Sequence, residues 1–130
     1  MAYEKDLRLL EASITGDLET VLEMLDEGQA DINCRGMYGL TPVMWAAWNG
    51  HTRVVQFLRF KLANMSLVTD SGNTILHLAC DGGEVQTVEF LLERKFVDIN
   101  ARNKFGKTAA EMASGKGHQK VVDLLKSFDE

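Results

Sequence analysis

Apolar residues in this chain come in short clusters separated by polar turns, and the clusters have helical spacing. Val21, Leu22, Met24 and Leu25 place an apolar stripe on one helix face at i, i+3, i+4. Val54, Val55, Phe57 and Leu58 do the same, as do Val88, Phe90, Leu91 and Leu92, and finally Val121, Val122, Leu124 and Leu125. Ahead of the first cluster, Leu7, Leu9, Leu10 and Ala12 predict another helix, and Gly16-Asp17 turns the chain between the two. The turning glycines Gly16, Gly50, Gly83 and Gly117 are 34, 33 and 34 residues apart. Thr41, Thr74 and Thr108 repeat the count at 33 and 34. A constant period of this size means one helix-turn-helix unit stacked on itself. Such a unit is too small to bury its own apolar face, so its stability comes from its neighbours.

The conserved phase of each unit carries a motif. Gly39-Leu40-Thr41-Pro42-Val43-Met44-Trp45-Ala46-Ala47-Trp48-Asn49-Gly50-His51 returns as Gly72-Asn73-Thr74-Ile75-Leu76-His77-Leu78-Ala79-Cys80 and again as Gly106-Lys107-Thr108-Ala109-Ala110-Glu111-Met112-Ala113. The pattern resembles the ankyrin repeat, Gly-x-Thr-Pro-Leu-His-x-Ala-Ala with a later Gly-His and Val-Val-x-Leu-Leu run, over nearly the whole chain. The resemblance implies an all-α repeat solenoid of helix-turn-helix pairs joined by β-hairpin-like turns. It divides one domain, 1–130, into a cap repeat (1–33), two internal repeats (34–67 and 68–101) and a second cap (102–130), with turns projecting around 34–40, 67–73 and 101–107. The charged first unit lacks the Thr-Pro start and the last has a wet outer face, so both ends are expected to be closed and the solenoid complete.

Local chemistry agrees with this division. Thr41 is a good N-cap, Pro42 stands at N1 where its missing N–H costs nothing, and Gly39 sits where the turn needs positive φ. Thr108 with Glu111 forms a capping box. Lys61–Ser66 departs from the family's Gly-Ala-Asp-Val-Asn and leaves that turn's geometry open.

Composition narrows the class further. Cys34 and Cys80 lack metal-ligand spacing and lie in different units, so reduced thiols in a reducing compartment are expected. Glu4, Lys5 and Asp6 interrupt any N-terminal apolar run, and no stretch reaches the length of a membrane span. A cytoplasmic or nuclear protein follows as the expectation. The net charge of −5 disfavours nucleic acid as a partner. The charge alternates: residues 1–33 hold nine acids and two bases, 34–67 four bases and no acids, 68–101 six acids and two bases, 102–130 six bases and four acids. Either neighbouring units attract one another weakly, or the pattern steers a partner.

Catalysis has little to draw on. Ser13, Ser66, Ser71 and Ser114 lack a nucleophile-elbow context, and Gly82-Gly83 is an inter-helix turn rather than a phosphate loop. His51 and His118 hold equivalent places after the turning glycine, and His77 holds the motif's own histidine position, where the family's imidazole braces neighbouring turns. No enzyme activity, metal or cofactor is expected. The resemblance implies instead a protein-binding module, with a protein or linear peptide docking on the hairpin tips and inner helices. By alignment the contact positions are Met37, Tyr38, Leu40, Trp48 and Asn49, then Asp70, Ser71, Asn73 and Asp81, then Arg102, Lys104, Phe105 and Lys107. Projecting turns are usually polar, so Met37, Tyr38, Leu40 and Phe105 stand out, and Tyr and Trp are typical interface anchors. Packing competes with contact at three places: Trp45 as core, Met44 in the space of the motif histidine, and Trp48 folded over Trp45 as a lid. An inhibitor or regulatory subunit of an enzyme, and a spacer within a larger scaffold, are the alternatives to a free-standing module. A monomer is expected. Asn33 and Asn100 resemble ankyrin asparagines that an oxygen-sensing dioxygenase hydroxylates, or else they serve only to satisfy turn backbone.

Overall fold

The computed structural model of the protein describes residues 2–26 and 28–129. Helices follow one another in pairs: α1 (Ala2–Thr15) with α2 (Leu18–Asp26), α3 (Pro42–Trp48) with α4 (Thr52–Phe60), α5 (Ile75–Asp81) with α6 (Val85–Glu93), and α7 (Ala109–Gly115) with α8 (Gln119–Asp129). The first members pack side by side in the order α1, α3, α5, α7, and the second members form an outer layer in the order α2, α4, α6, α8. No strand occurs among the described residues, and none of their helices is long and apolar enough to cross a membrane.

Small residues set the spacing of the inner layer. Ala46, Ala47, Ala79, Cys80 and Ala113 are all fully buried, so the inner helices approach closely. The outer helices close the core with Val21, Met24, Val54, Val55, Leu58, Val88, Leu91, Val121 and Leu125, joined in one continuous cluster. Phe57 and Phe90, expected in the buried stripes, lie partly exposed with Lys61 and Arg94 over their rings at 5.8 and 5.7 Å.

Histidines and caps register one pair on the next. The ring N–H of His51 donates to the Ile14 carbonyl at 2.9 Å, and that of His118 to the Asp81 carbonyl at 3.0 Å. Gly16 turns at φ 81°, and a Cβ there would run into the His51 ring. Thr108 and Glu111 make the expected capping box, Thr108 N–H to Glu111 Oε1 at 2.9 Å and Glu111 N–H to Thr108 Oγ1 at 3.2 Å. In the third unit His77 takes the glutamate's role: the Thr74 N–H donates to Nδ1 at 3.1 Å, while Nε2–H donates to the Lys107 carbonyl at 2.8 Å. In the second unit Met44 fills that place, and its sulfur accepts the Thr41 N–H at 3.4 Å. Thr41 Oγ1 is buried there without a partner among the described residues.

Two local features were not legible beforehand. α1 is 14 residues long against 7 for α3, because the residues aligned with the later hairpins continue as helix. Lys61–Ser66 closes the same turn as its counterparts: Leu62 adopts φ 70°, as Gly28 does at 62° and Lys95 at 54°. Its Asn64 N–H donates to Asn33 Oδ1 at 2.9 Å, so the Asn33 side chain satisfies turn backbone in the next unit.

Candidate functional site

The three projecting turns are built alike and bonded into a row. Each closes on a glycine in the left-handed region, Gly39 at φ 75°, Gly72 at 77° and Gly106 at 75°. Asp70 N–H donates to the Tyr38 carbonyl at 3.1 Å, and Lys104 N–H to the Ser71 carbonyl at 3.0 Å, so adjacent tips are held backbone to backbone. Side chains reinforce the row. Arg35 Nη1 donates to the carbonyls of Gly39 (2.9 Å) and Val68 (2.6 Å), spanning the first and second turns. Asn103 Nδ2 donates to Asn73 Oδ1 at 2.8 Å, while its own Oδ1 accepts the N–H groups of Phe105 and Lys107. These bonds fix the turns relative to one another.

The residues singled out by alignment divide according to what they touch. Met37, Tyr38 and Phe105 project as anticipated, 65%, 67% and 73% exposed. Tyr38 does so from φ 59°, an uncommon conformation for a bulky residue. Asp70, Lys104 and Arg102 are exposed beside them, with Arg102 Nη1 bonded to the Gly106 carbonyl at 2.7 Å and 3.5 Å from Glu111 Oε1. Ser71 and Asn73 are half-buried within the row. Lys107 is exposed, its backbone tied to His77 and Asn103.

Leu40 is a correction. It is 3% exposed and packs with Met44 and Leu78 in a small cluster beneath the turn, facing away from any partner. Leaving the turn after Tyr38 at φ 59°, its side chain points beneath the tip, where burial is the more favourable place for a leucine.

Farther along the inner helices, Trp48 is half-buried and engaged. Its ring lies 5.6 Å from that of Trp45, and its Nε1–H donates to Asp81 Oδ2 at 3.0 Å. Asp81 Oδ1 in turn stands 3.7 Å from Lys116 Nζ, so Trp48, Asp81 and Lys116 form a polar chain across three successive units. Asn49 is exposed, with Nδ2 donating to the Trp45 carbonyl at 3.0 Å. Arg35 and Asn103, which organise the tips, went unselected. The shared Arg-x-x-x-Gly spacing of Arg35–Gly39 and Arg102–Gly106 was the available signal for the first.

Among the described residues no group of histidine, cysteine and acidic side chains can hold a metal ion. His77 is buried, and desolvation lowers its pKa below the ordinary value of 6.5, so the imidazole is neutral and committed to two backbone groups. Burial pushes the Cys34 and Cys80 thiols up to about 12, so neither is a nucleophile at neutral pH. The Thr108 N–H and hydroxyl hold the Glu111 carboxyl below its usual range.

Comparison with known proteins gives the same repeat. Two family models described as ankyrin repeats match residues 56–129 and 9–59. The protein "Ankyrin repeat, SAM and basic leucine zipper domain-containing protein 1" of Callithrix jacchus is 38% identical over 124 residues, 92% of this chain and 26% of that protein. Its counterpart in Mus musculus shares the same 38% identity over 124 residues, and that of Dasypus novemcinctus is 36% identical over 130 residues, 96% of this chain and 27% of that protein. The chain thus spans about a quarter of the length of these relatives.

Proposed function

This chain belongs to the ankyrin-repeat family, and on that premise we propose that it is a non-catalytic module that binds a protein or extended peptide along its projecting turns. Ankyrin repeats in general mediate protein–protein interaction. The observation that carries the reading here is the row of exposed Met37, Tyr38 and Phe105 on turns bonded to one another through their backbones. Apolar anchors on a preorganised frame are the residues expected to dominate a binding energy. Asp70, Lys104 and Arg102 lie between and beside them and set the orientation of the partner through charge. Trp48 and Asp81 belong to the frame of the site, since each already satisfies the other.

The test is affinity capture from lysate with three proteins in parallel: wild type, a Tyr38→Ala, Phe105→Ala tip variant, and a Phe60→Ser, Leu62→Ser variant at the end of α4 and in the turn after it. All four side chains are exposed, Phe60 and Leu62 at 72% and 81% and Tyr38 and Phe105 at 67% and 73%, and thermal melts establish that both variants are folded. A partner kept by the outer variant and lost by the tip variant supports the reading. A partner lost only from the outer variant refutes it.

A further inference from the structure

The first unit leaves a bonding position open at its N-terminal edge. In the later turns one N–H bonds to the preceding turn: Asp70 N–H to the Tyr38 carbonyl, Lys104 N–H to the Ser71 carbonyl. Met37 stands 33 residues before Asp70, at the same place in the first turn. Its N–H has no hydrogen bond among the described residues. The reason is the length of α1. Residues 3–6, which align with the later turns, run as helix, so no carbonyl is presented. What results is a groove of about 600 Å³ lined by Tyr3, Leu7, Leu10 and Met37, with Asp6 and Asp31 beside them. Tyr3 and Leu7 are 71% and 46% exposed. Among the described residues the cation on its wall is Arg35, which already donates to the Gly39 and Val68 carbonyls.

We propose that this groove takes an extended segment of a partner protein, carrying both basic and apolar residues, which docks where the missing turn would lie. Tyr3, Asp6, Leu7 and Leu10 share one face of α1, and Asp31 N–H donates to Asp6 Oδ1 at 2.8 Å, which places the two carboxylates together at the edge of that face. Apolar side chains of the segment cover Tyr3, Leu7 and Leu10; its cations pair with Asp6 and Asp31; a main-chain carbonyl accepts the Met37 N–H. Charge favours this occupant, because residues 1–33 carry nine acids and two bases. The site goes beyond the tip reading, sharing only Met37 with it, and the two can fail separately.

The probe is a capped, fluorescein-labelled peptide of alternating lysine and leucine, titrated by anisotropy. Met37→Pro removes the N–H at the second position of a turn closed by Gly39 N–H to the Gly36 carbonyl at 3.1 Å, where proline is favoured. Met37→Ala loses the same side chain and keeps the N–H. Met37→Pro is expected to bind about fivefold more weakly than Met37→Ala, the value of one net hydrogen bond. Leu7→Gln is expected to weaken binding by about as much, whereas Glu19→Gln with Glu23→Gln on α2, and Tyr38→Ala with Phe105→Ala, leave it unchanged. Thermal melts establish that each variant is folded. Equal binding by Met37→Pro and Met37→Ala, a loss in the α2 variant matching that in Leu7→Gln, or no binding by wild type would overturn the proposal. Loss of the lysate partner from the tip variant with peptide binding intact supports both sites as distinct.

Discussion

Replacing His77 by methionine would copy into the third unit what the second already contains at Met44. The structure sets the magnitude. Nε2–H gives up its bond to the Lys107 carbonyl (2.8 Å), but that carbonyl keeps the Asn103 N–H at 3.0 Å. The Thr74 hydroxyl loses Nδ1 at 2.9 Å yet still accepts the backbone N–H of residue 77 at 3.3 Å. The Thr74 N–H turns to the sulfur, as the Thr41 N–H does to Met44. Two net hydrogen bonds are lost without leaving a bare group, about 2 kcal/mol. Burying an apolar methionine restores roughly 1 kcal/mol, so about 1 kcal/mol of stability should disappear at neutral pH.

The pH dependence is the sharper half of that prediction. Burial lowers the folded-state pKa of His77 below 6.5, opposed in part by its bonds to the Lys107 and Ala101 backbone. As pH falls through 6.5, the unfolded chain takes up a proton that the folded chain refuses. Wild type therefore loses up to about 1.4 kcal/mol per pH unit from this residue, until the lowered folded value is reached. His77→Met lacks this contribution, so the stability gap should narrow as pH falls below 6.5. Urea titrations followed by circular dichroism at about pH 7.5, 6.5 and 5.5 supply the comparison. Curves that stay parallel for wild type and variant would refute the assignment of a neutral, backbone-committed His77.

Other substitutions follow from the same geometry. Leu40→Ala should cost about 2–4 kcal/mol, read as a lower urea midpoint, because the side chain is buried against Met44 and Leu78; a neutral effect would return Leu40 to the contact surface. Leu62→Gly and Lys95→Gly, both exposed at positive φ, should each stabilise by about 1 kcal/mol through relief of left-handed strain; destabilisation in a thermal melt would contradict this. Thr41→Val, which removes a buried hydroxyl without a described partner, should raise stability by about 1 kcal/mol, whereas Thr74→Val should lower it. Iodoacetamide at neutral pH should leave Cys34 and Cys80 unlabelled in the folded protein and label both in urea, as mass spectrometry would detect, since burial holds both thiols near 12.

Much of the architecture lay in the one-dimensional pattern. Val54, Val55 and Leu58 had to face inward because they share one side of a helix, and Thr74 and Thr108 had to begin helices because their hydroxyls accept orphan N–H groups. Repeat spacing alone set the stacking order, since each unit could bury its stripe only on its neighbour. Projection of Met37, Tyr38 and Phe105 followed from their place in the turns. Inversion of Leu40 did not, because its direction depends on the twist of a turn whose tip residue, Tyr38, lies at φ 59°. Pairwise satisfaction across units was equally out of reach. Trp48 meets Asp81 and Arg35 meets Val68 at separations of 33 residues, and a bond of 3 Å depends on side-chain rotamers that periodicity does not specify. The open edge at Met37 belongs to the tertiary structure as well. It exists because residues 3–6 continue α1 as helix, and only the packed chain reveals which N–H that choice leaves without a carbonyl.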